Sequence, residues 1–113
     1  MKTAVCIGTF LLFTFSGFTQ VVDTAAVVRE VDSLMESAWN LTNKRSFDEA
    51  IRNGETARQL ALKTLGKHHK RYATSLFTLG RAYHGNGKND LAEPLYLEAL
   101  SIREKIYGKE HID

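Results

Sequence analysis

The sequence predicts an all-α fold, an α-α superhelix of two helix-turn-helix units that each form an antiparallel helix pair. The first observation is an internal repeat, because a shift of 42 positions aligns nine identical pairs between residues 31–69 and residues 73–111. The second is that each copy places apolar residues at helical spacing on both sides of a short turn. The aligned pairs include Leu34 with Leu76, Ala50 with Ala92, Ala57 with Ala99 and Gly66 with Gly108. A unit used twice in this way is typical of helical repeat proteins.

The composition is that of one small globular domain. Hydrophobic residues make up 43% and charged residues 25% of the 113 residues, which indicates neither a disordered chain nor a protein with several membrane spans. The 15 basic and 13 acidic residues are mixed along the chain and give a net charge of +2. Because nucleic-acid binding needs a basic surface that neutralises several phosphates, we expect no nucleic-acid partner.

Residues 1–20 have the pattern of a signal peptide. Lys2 precedes an uncharged, largely apolar stretch from Ala4 to Phe18, and small or polar residues follow. A spanning helix needs about 20 apolar residues, so this shorter stretch favours a cleaved secretory signal over an uncleaved anchor, which stays the alternative. We expect an exported chain, periplasmic or secreted, that spans no membrane once mature. The only cysteine, Cys6, would leave with the segment, so the mature fold would hold without a disulfide.

The first repeat is predicted to cover residues 31–69, with residues 21–30 as an N-terminal helical extension. Its first helix is expected to end near Asn43, and residues 44–46 form the turn. The second helix then runs from about Phe47 to Leu65.

The second repeat is predicted to cover residues 70–113. Its first helix is expected to stop at Gly85–Gly87, because glycine and asparagine tolerate the left-handed conformation of a helix-ending turn. Asn89 or Asp90 is expected to cap the next helix, and Gly108 to end it. The expected apolar face of that helix comprises Leu91, Leu95, Tyr96, Ala99, Leu100 and Ile106.

Small residues recur where antiparallel helices have to cross closely. A side chain larger than alanine at such a crossing would push the two helices apart. The expected close contacts involve Ala38 and Ala50 in the first unit, Gly80 and Ala92 in the second, and Ala57 and Ala99 at the later contact.

The second unit resembles the tetratricopeptide repeat in the order and spacing of its characteristic residues. These residues are Leu76, Leu79, Gly80, Tyr83, Gly87, Ala92, Tyr96 and Ala99. The 42-residue period and the segments Ala92–Leu100, Arg103–Lys105 and Gly108–His111 are similar to the longer repeat subtype of kinesin light chains and many bacterial proteins. The resemblance is strong for residues 70–113 and weaker for residues 31–69.

The resemblance implies a non-catalytic scaffold that binds a protein or peptide, here outside the cytoplasm. In this family the first helix of each unit lines a concave groove, which makes Met35, Trp39, Phe77, Arg81 and His84 the candidate groove contacts. Asp32, Thr42 and Thr74 share the same motif positions. Trp39 and Phe77 would act as apolar anchors, and Arg81 would pair with a carboxylate. Burial in the core is the competing interpretation for both aromatic residues.

No arrangement of residues predicts catalysis, a cofactor or a metal. The segment Gly85–Asn89 lacks the spacing of a phosphate-binding loop, and no strand is predicted before it. His69 and His111 recur at the repeat period, and no cysteine or carboxylate joins them at a ligand spacing. No nucleophile, base and orienting group can be placed together.

Two other functions stay open. The chain could be the amino-terminal part of a longer protein whose repeats precede a catalytic domain, such as the caspase-like proteases that follow bacterial repeats of this subtype. Alternatively, two copies could assemble into a homo-oligomer through the C-terminal helix, since about three repeats are usually needed for a stable array. On this helix Leu95, Ile102 and Tyr107 are expected to form an uncovered apolar face.

Overall fold

The computed structural model describes residues 23–108, which form four α-helices. They are α1 (Thr24–Asn43), α2 (Phe47–Leu65), α3 (Lys70–Gly85) and α4 (Asn89–Tyr107). The all-α fold class is therefore confirmed, and the predicted ends of the helices near Asn43, Leu65, Gly85 and Gly108 are correct. The predicted signal segment, residues 1–20, and residues 109–113 lie outside the described residues.

The two repeats turn in the same way at equivalent positions. In the α3–α4 turn Gly87 has a φ of 82°, and in the α1–α2 turn the residue 42 positions earlier, Arg45, has a φ of 67°. This left-handed conformation suits glycine, whereas it costs another residue roughly 1–2 kcal/mol. The repeat thus imposes one backbone geometry on both turns, and the first turn adopts it without glycine.

The start of α4 corrects one prediction. Its N-cap position is Lys88, and no side chain accepts a hydrogen bond from the first turn there. The Asn89 amide oxygen lies instead 2.6 Å from Nδ1 of His84. The Asn89 side chain is thus engaged with the preceding helix, and Asp90 lies inside the first turn, so neither residue caps the helix as predicted.

Close packing at small residues confirms the predicted helix crossings. Ala38, Ala50, Ala57, Ala92 and Ala99 are all at most 2% exposed. At Gly80 an added β-carbon would lie 2.9 Å from the Tyr96 ring and 3.4 Å from the backbone oxygen of Ala92. Because these distances leave no room for a side chain, only glycine at position 80 allows α3 and α4 to pack this closely.

The core lies between the two repeats and is built from all four helices. Its members are Val31, Met35, Ala57, Ala61, Tyr72, Ala73, Leu76, Ala99 and Ile102. On α4 only Ala92, Ala99 and Ile102 are buried. Leu91, Leu100 and Ile106, which were predicted to face the core, are 46%, 42% and 38% exposed.

The predicted uncovered face of α4 is also only partly correct. Tyr107 is 43% exposed, but Ile102 is buried and Leu95 is half-buried. Among the described elements α4 packs extensively only on α3, so one narrow strip of the helix is covered. No described helix combines the length and the apolar character that crossing a bilayer requires.

His69 caps α3 with its imidazole ring. The backbone N–H of Arg71 donates a 3.0 Å hydrogen bond to Nδ1 of His69, which has to be unprotonated to accept it. Burial lowers the pKa of His69, and the positive charges of Arg71 and Lys70 lower it further. The neutral ring is therefore the form that the folded chain requires.

This cap predicts a loss of stability in acid. Since the folded pKa of His69 lies below the unfolded value of about 6.5, the contribution of His69 is fully present above about pH 6.5 and is lost as the pH falls through the folded pKa. A typical N-cap contributes about 1 kcal/mol. Chemical unfolding of the His69→Asn variant should lack this pH-dependent component, because asparagine caps without titrating. The neighbouring variant His68→Asn should retain it, and an equal effect of both substitutions would contradict the assignment.

Candidate functional site

An arginine and a tryptophan join the first helices of the two repeats. The guanidinium carbon of Arg81 on α3 lies 3.8 Å from the centre of the Trp39 ring on α1. Nη2 of Arg81 also donates a 3.0 Å hydrogen bond to the side-chain oxygen of Asn43. We call the surface formed by Trp39, Asn43, Phe77 and Arg81 the α1–α3 groove. Trp39 remains 39% exposed within it, so the core interpretation of this residue is wrong.

Phe77 borders the groove on the side of α4. The centres of the Phe77 and Tyr96 rings lie 5.3 Å apart, with the rings tilted against each other. The guanidinium carbon of Arg103 lies 5.5 Å from the centre of the Phe77 ring. Nη2 of Arg103 reaches the hydroxyl of Thr74 at 3.5 Å. Phe77 is half-buried, so it supports the groove and also contributes to its surface.

A salt bridge ties the other ends of α1 and α3 together. Arg71 donates two hydrogen bonds, of 2.9 and 3.1 Å, to the carboxylate of Asp32. The hydrogen bonds to Asp32 raise the pKa of Arg71. Since Asp32 and Arg71 lie in the N-terminal parts of their helices, and Asn43 and Arg81 in the C-terminal parts, α1 and α3 run side by side in the same direction.

The guanidinium of Arg81 is incompletely satisfied. Its Nη1 is buried and has no hydrogen-bond partner. Leaving a buried donor without an acceptor costs about 1–3 kcal/mol, more when the group is charged. Burial raises the pKa of the Tyr96 phenol, and the positive charge of Arg81 partly opposes this shift. Because Nη1 is buried, an incoming oxygen atom would meet Arg81 at the exposed side of the guanidinium, where Nη2 bonds Asn43.

The other predicted groove contacts differ in how far their side chains are exposed. Met35 is only 9% exposed and belongs to the core, so it offers the groove almost no surface. Thr42 is buried too, and its hydroxyl donates to the backbone oxygen of Ala38. His84 is exposed at the end of α3, where its Nδ1 lies 2.6 Å from the side-chain oxygen of Asn89.

Sequence reasoning missed Asn43 and Arg103 as parts of the site. Asn43 was recognised only as the end of a helix, although the last residue of a helix can also face a neighbouring helix. Arg103 lies on α4, and its position over Phe77 depends on how α4 crosses α3. Arg103 follows Tyr96 by seven residues, or two helical turns, and this spacing could have indicated that both side chains lie on the same face of α4.

The comparisons with known proteins identify the repeats. A family profile described as "Tetratricopeptide repeat" matches residues 40–105, which is more than half of the chain. The match includes Asn43, Phe77, Arg81 and Arg103 and begins immediately after Trp39. No curated protein and no solved structure gives a significant match.

The stacked geometry of Trp39 and Arg81 predicts a measurable coupling. We expect the free energies of unfolding of Trp39→Ala, Arg81→Ala and the double variant to show an interaction of about 0.5–1 kcal/mol. Denaturant unfolding followed by circular dichroism measures it without relying on the tryptophan. Arg45 and Phe47 serve as a control pair with a looser contact, since the guanidinium carbon of Arg45 lies 5.3 Å from the centre of the Phe47 ring. Additive effects of the two groove substitutions would contradict the contact.

Proposed function

We propose that the chain, which belongs to the tetratricopeptide repeat family, is a non-catalytic scaffold that binds an extended segment of a partner protein in the α1–α3 groove. Repeats of this family generally mediate protein–protein interaction. The 42-residue period supports assignment to the longer, kinesin-light-chain-like subtype.

One observation carries the proposal: the Arg81 guanidinium stacks on the exposed ring of Trp39 and forms no salt bridge with any described residue. A partner that brings a carboxylate to the exposed side of this guanidinium, where Nη2 bonds Asn43, would form a charge-assisted hydrogen bond with it. Trp39 offers an adjacent apolar surface of the kind found at binding hot spots. Together the two residues favour a ligand that places an acidic or carbonyl oxygen next to an apolar side chain.

The basic residues around the groove set the preferred charge of the ligand. Arg71 is neutralised by Asp32, whereas Arg81 and Arg103 form no salt bridge with any described residue. Positive charge without a carboxylate partner attracts acidic segments and repels basic ones. An acidic peptide is therefore the partner chemistry that we propose for this surface.

Binding of peptides tests this function. A library of extended peptides should yield acidic binders of the full chain, and the affinity of the best one is measured by fluorescence anisotropy. We expect Trp39→Ala and Arg81→Met each to weaken binding by about tenfold, because each removes one desolvated contact. Arg45→Met is the matched control, since it removes an arginine stacked on Phe47 outside the groove. Equal affinities for the control and the groove variants would refute the proposal.

The scaffold is proposed to act outside the cytoplasm. The basic start and the apolar stretch of residues 1–20 support export. Mass spectrometry of the chain from the periplasm or the medium should find a species that begins close to residue 21. Recovery of the intact chain from the membrane fraction would indicate an anchor instead.

Two alternatives stay open as proposals. A catalytic domain, such as a caspase-like protease, in the same polypeptide would make the repeats its binding module, and gene context decides this. Assembly of copies through α4 would have to cover its exposed leucines, Leu97 and Leu100. Light scattering over a range of concentrations tests it, because a constant monomer mass excludes it.

A further inference from the structure

A line of four side chains marks the surface of α4 opposite its buried face. Glu93, Leu97, Leu100 and Glu104 follow one another at spacings of four, three and four residues, which aligns them along the helix. We call this line the α4 stripe. Leu97 is 58% and Leu100 42% exposed. Two neighbouring leucines on a solvent-facing surface of a small domain are a candidate docking site.

The repeat shows which part of the fold the α4 stripe corresponds to. Its equivalents on α2, 42 positions earlier, are Ile51, Glu55, Arg58 and Leu62. On that side of α2 lies α3, because an added β-carbon at Gly54 would meet Leu79 of α3 at 3.2 Å. A helix bound to the α4 stripe would therefore continue the packing of α3 on α2 by one further repeat.

The α4 stripe and its equivalent residues on α2 have opposite patterns of charge. On α2 the charged residues Glu55 and Arg58 form the centre, where they bind each other, and the Arg58 charge acts on the phenol of Tyr72 on α3. On the α4 stripe the centre is apolar and both ends are acidic. Neither Glu93 nor Glu104 forms a salt bridge within residues 23–108. The complementary surface thus has apolar residues at its centre and basic residues about one turn away on each side.

A second copy of the chain fits this pattern poorly. If two α4 helices pair in antiparallel orientation with Leu97 opposite Leu100, then Glu93 of each copy lies opposite Glu104 of the other. Like charges placed opposite each other destabilise such a pair.

Head-to-tail stacking of copies is disfavoured too. The face of α1 that is equivalent to the α2-facing side of α3 carries Glu30 and Ser37 where α3 has Tyr72 and Leu79. Ser37 is already bound to Asn53 by a 2.9 Å hydrogen bond. The leucines on this side of α1, Leu34 and Leu41, are already half-buried within the chain. Stacking would also place the exposed carboxylate of Glu30 where α3 has Tyr72, against the apolar centre of the α4 stripe.

We propose that the α4 stripe is a second docking site, which binds an amphipathic helix of a partner protein. The partner helix packs apolar side chains on Leu97 and Leu100 and places lysine or arginine opposite Glu93 and Glu104. The two surfaces then select opposite charges, since the α1–α3 groove prefers acidic segments. The α4 site does not depend on the groove proposal.

Two synthetic helical peptides test the proposal. Each has about 16 residues, is held helical by a side-chain lactam, and places leucines at the two central stripe positions. One peptide has lysine and the other glutamate at the flanking positions. We expect the full chain to bind the lysine peptide about fivefold more tightly in low salt, as two exposed ion pairs allow.

Charge reversal supplies the decisive variant. Glu93→Lys combined with Glu104→Lys should reverse the preference, so that the glutamate peptide binds more tightly. The matched control, Glu36→Lys combined with Glu49→Lys, changes the net charge equally at exposed sites on α1 and α2 and should leave the preference unchanged.

Several outcomes would overturn the α4 site. They are binding of neither peptide, an unchanged preference after charge reversal, and a wild-type dimer in light scattering that Leu100→Glu dissociates. The last result would assign the stripe to a second copy. The Leu100→Glu variant should still bind acidic peptides in the α1–α3 groove. Its peptide binding therefore distinguishes a failure of the α4 proposal from a failure of the groove proposal.

Discussion

The structure depends on how closely the helix pairs approach one another. Gly80 lets the Tyr96 ring and the backbone of α4 reach α3, and Gly54 lets Leu79 of α3 reach α2. Buried alanines occupy the other crossings. Close crossings fix the angle between neighbouring helices, because interdigitated side chains leave few alternative arrangements. The distance from Trp39 to Arg81, and hence the groove itself, follows from these crossings.

Each helix packs closely against its neighbours on one side and keeps a solvent-exposed surface on the other side. Interaction modules use this division, since the packed side supplies rigidity and the outer side supplies recognition. In this chain the two outer surfaces differ in chemistry. The groove combines arginines with aromatic rings, whereas α4 presents leucines between carboxylates. A scaffold with surfaces of opposite preference can hold two different partners at once.

The helices could be predicted from the sequence, because a repeated unit supplies each boundary twice. Gly66 and Gly108 end equivalent helices, and both have a positive φ. Surface assignments were less successful because burial depends on neighbours. The motif position of Met35 indicated the groove, yet the helices packed around it enclose the side chain. Leu100 has the helical spacing of a core residue, but no described helix covers its side of α4.

The most direct test of the central claim is to locate a bound acidic peptide on the full chain. The amide and side-chain N–H correlation spectrum reports both halves of the groove, because Trp39 is the chain's only tryptophan and provides a single indole signal. The account predicts that the peptide shifts this indole signal and the Nε–Hε signal of Arg81, and leaves the amides around Leu97 and Leu100 unchanged. Shifts confined to α4, with both groove signals unmoved, would contradict it.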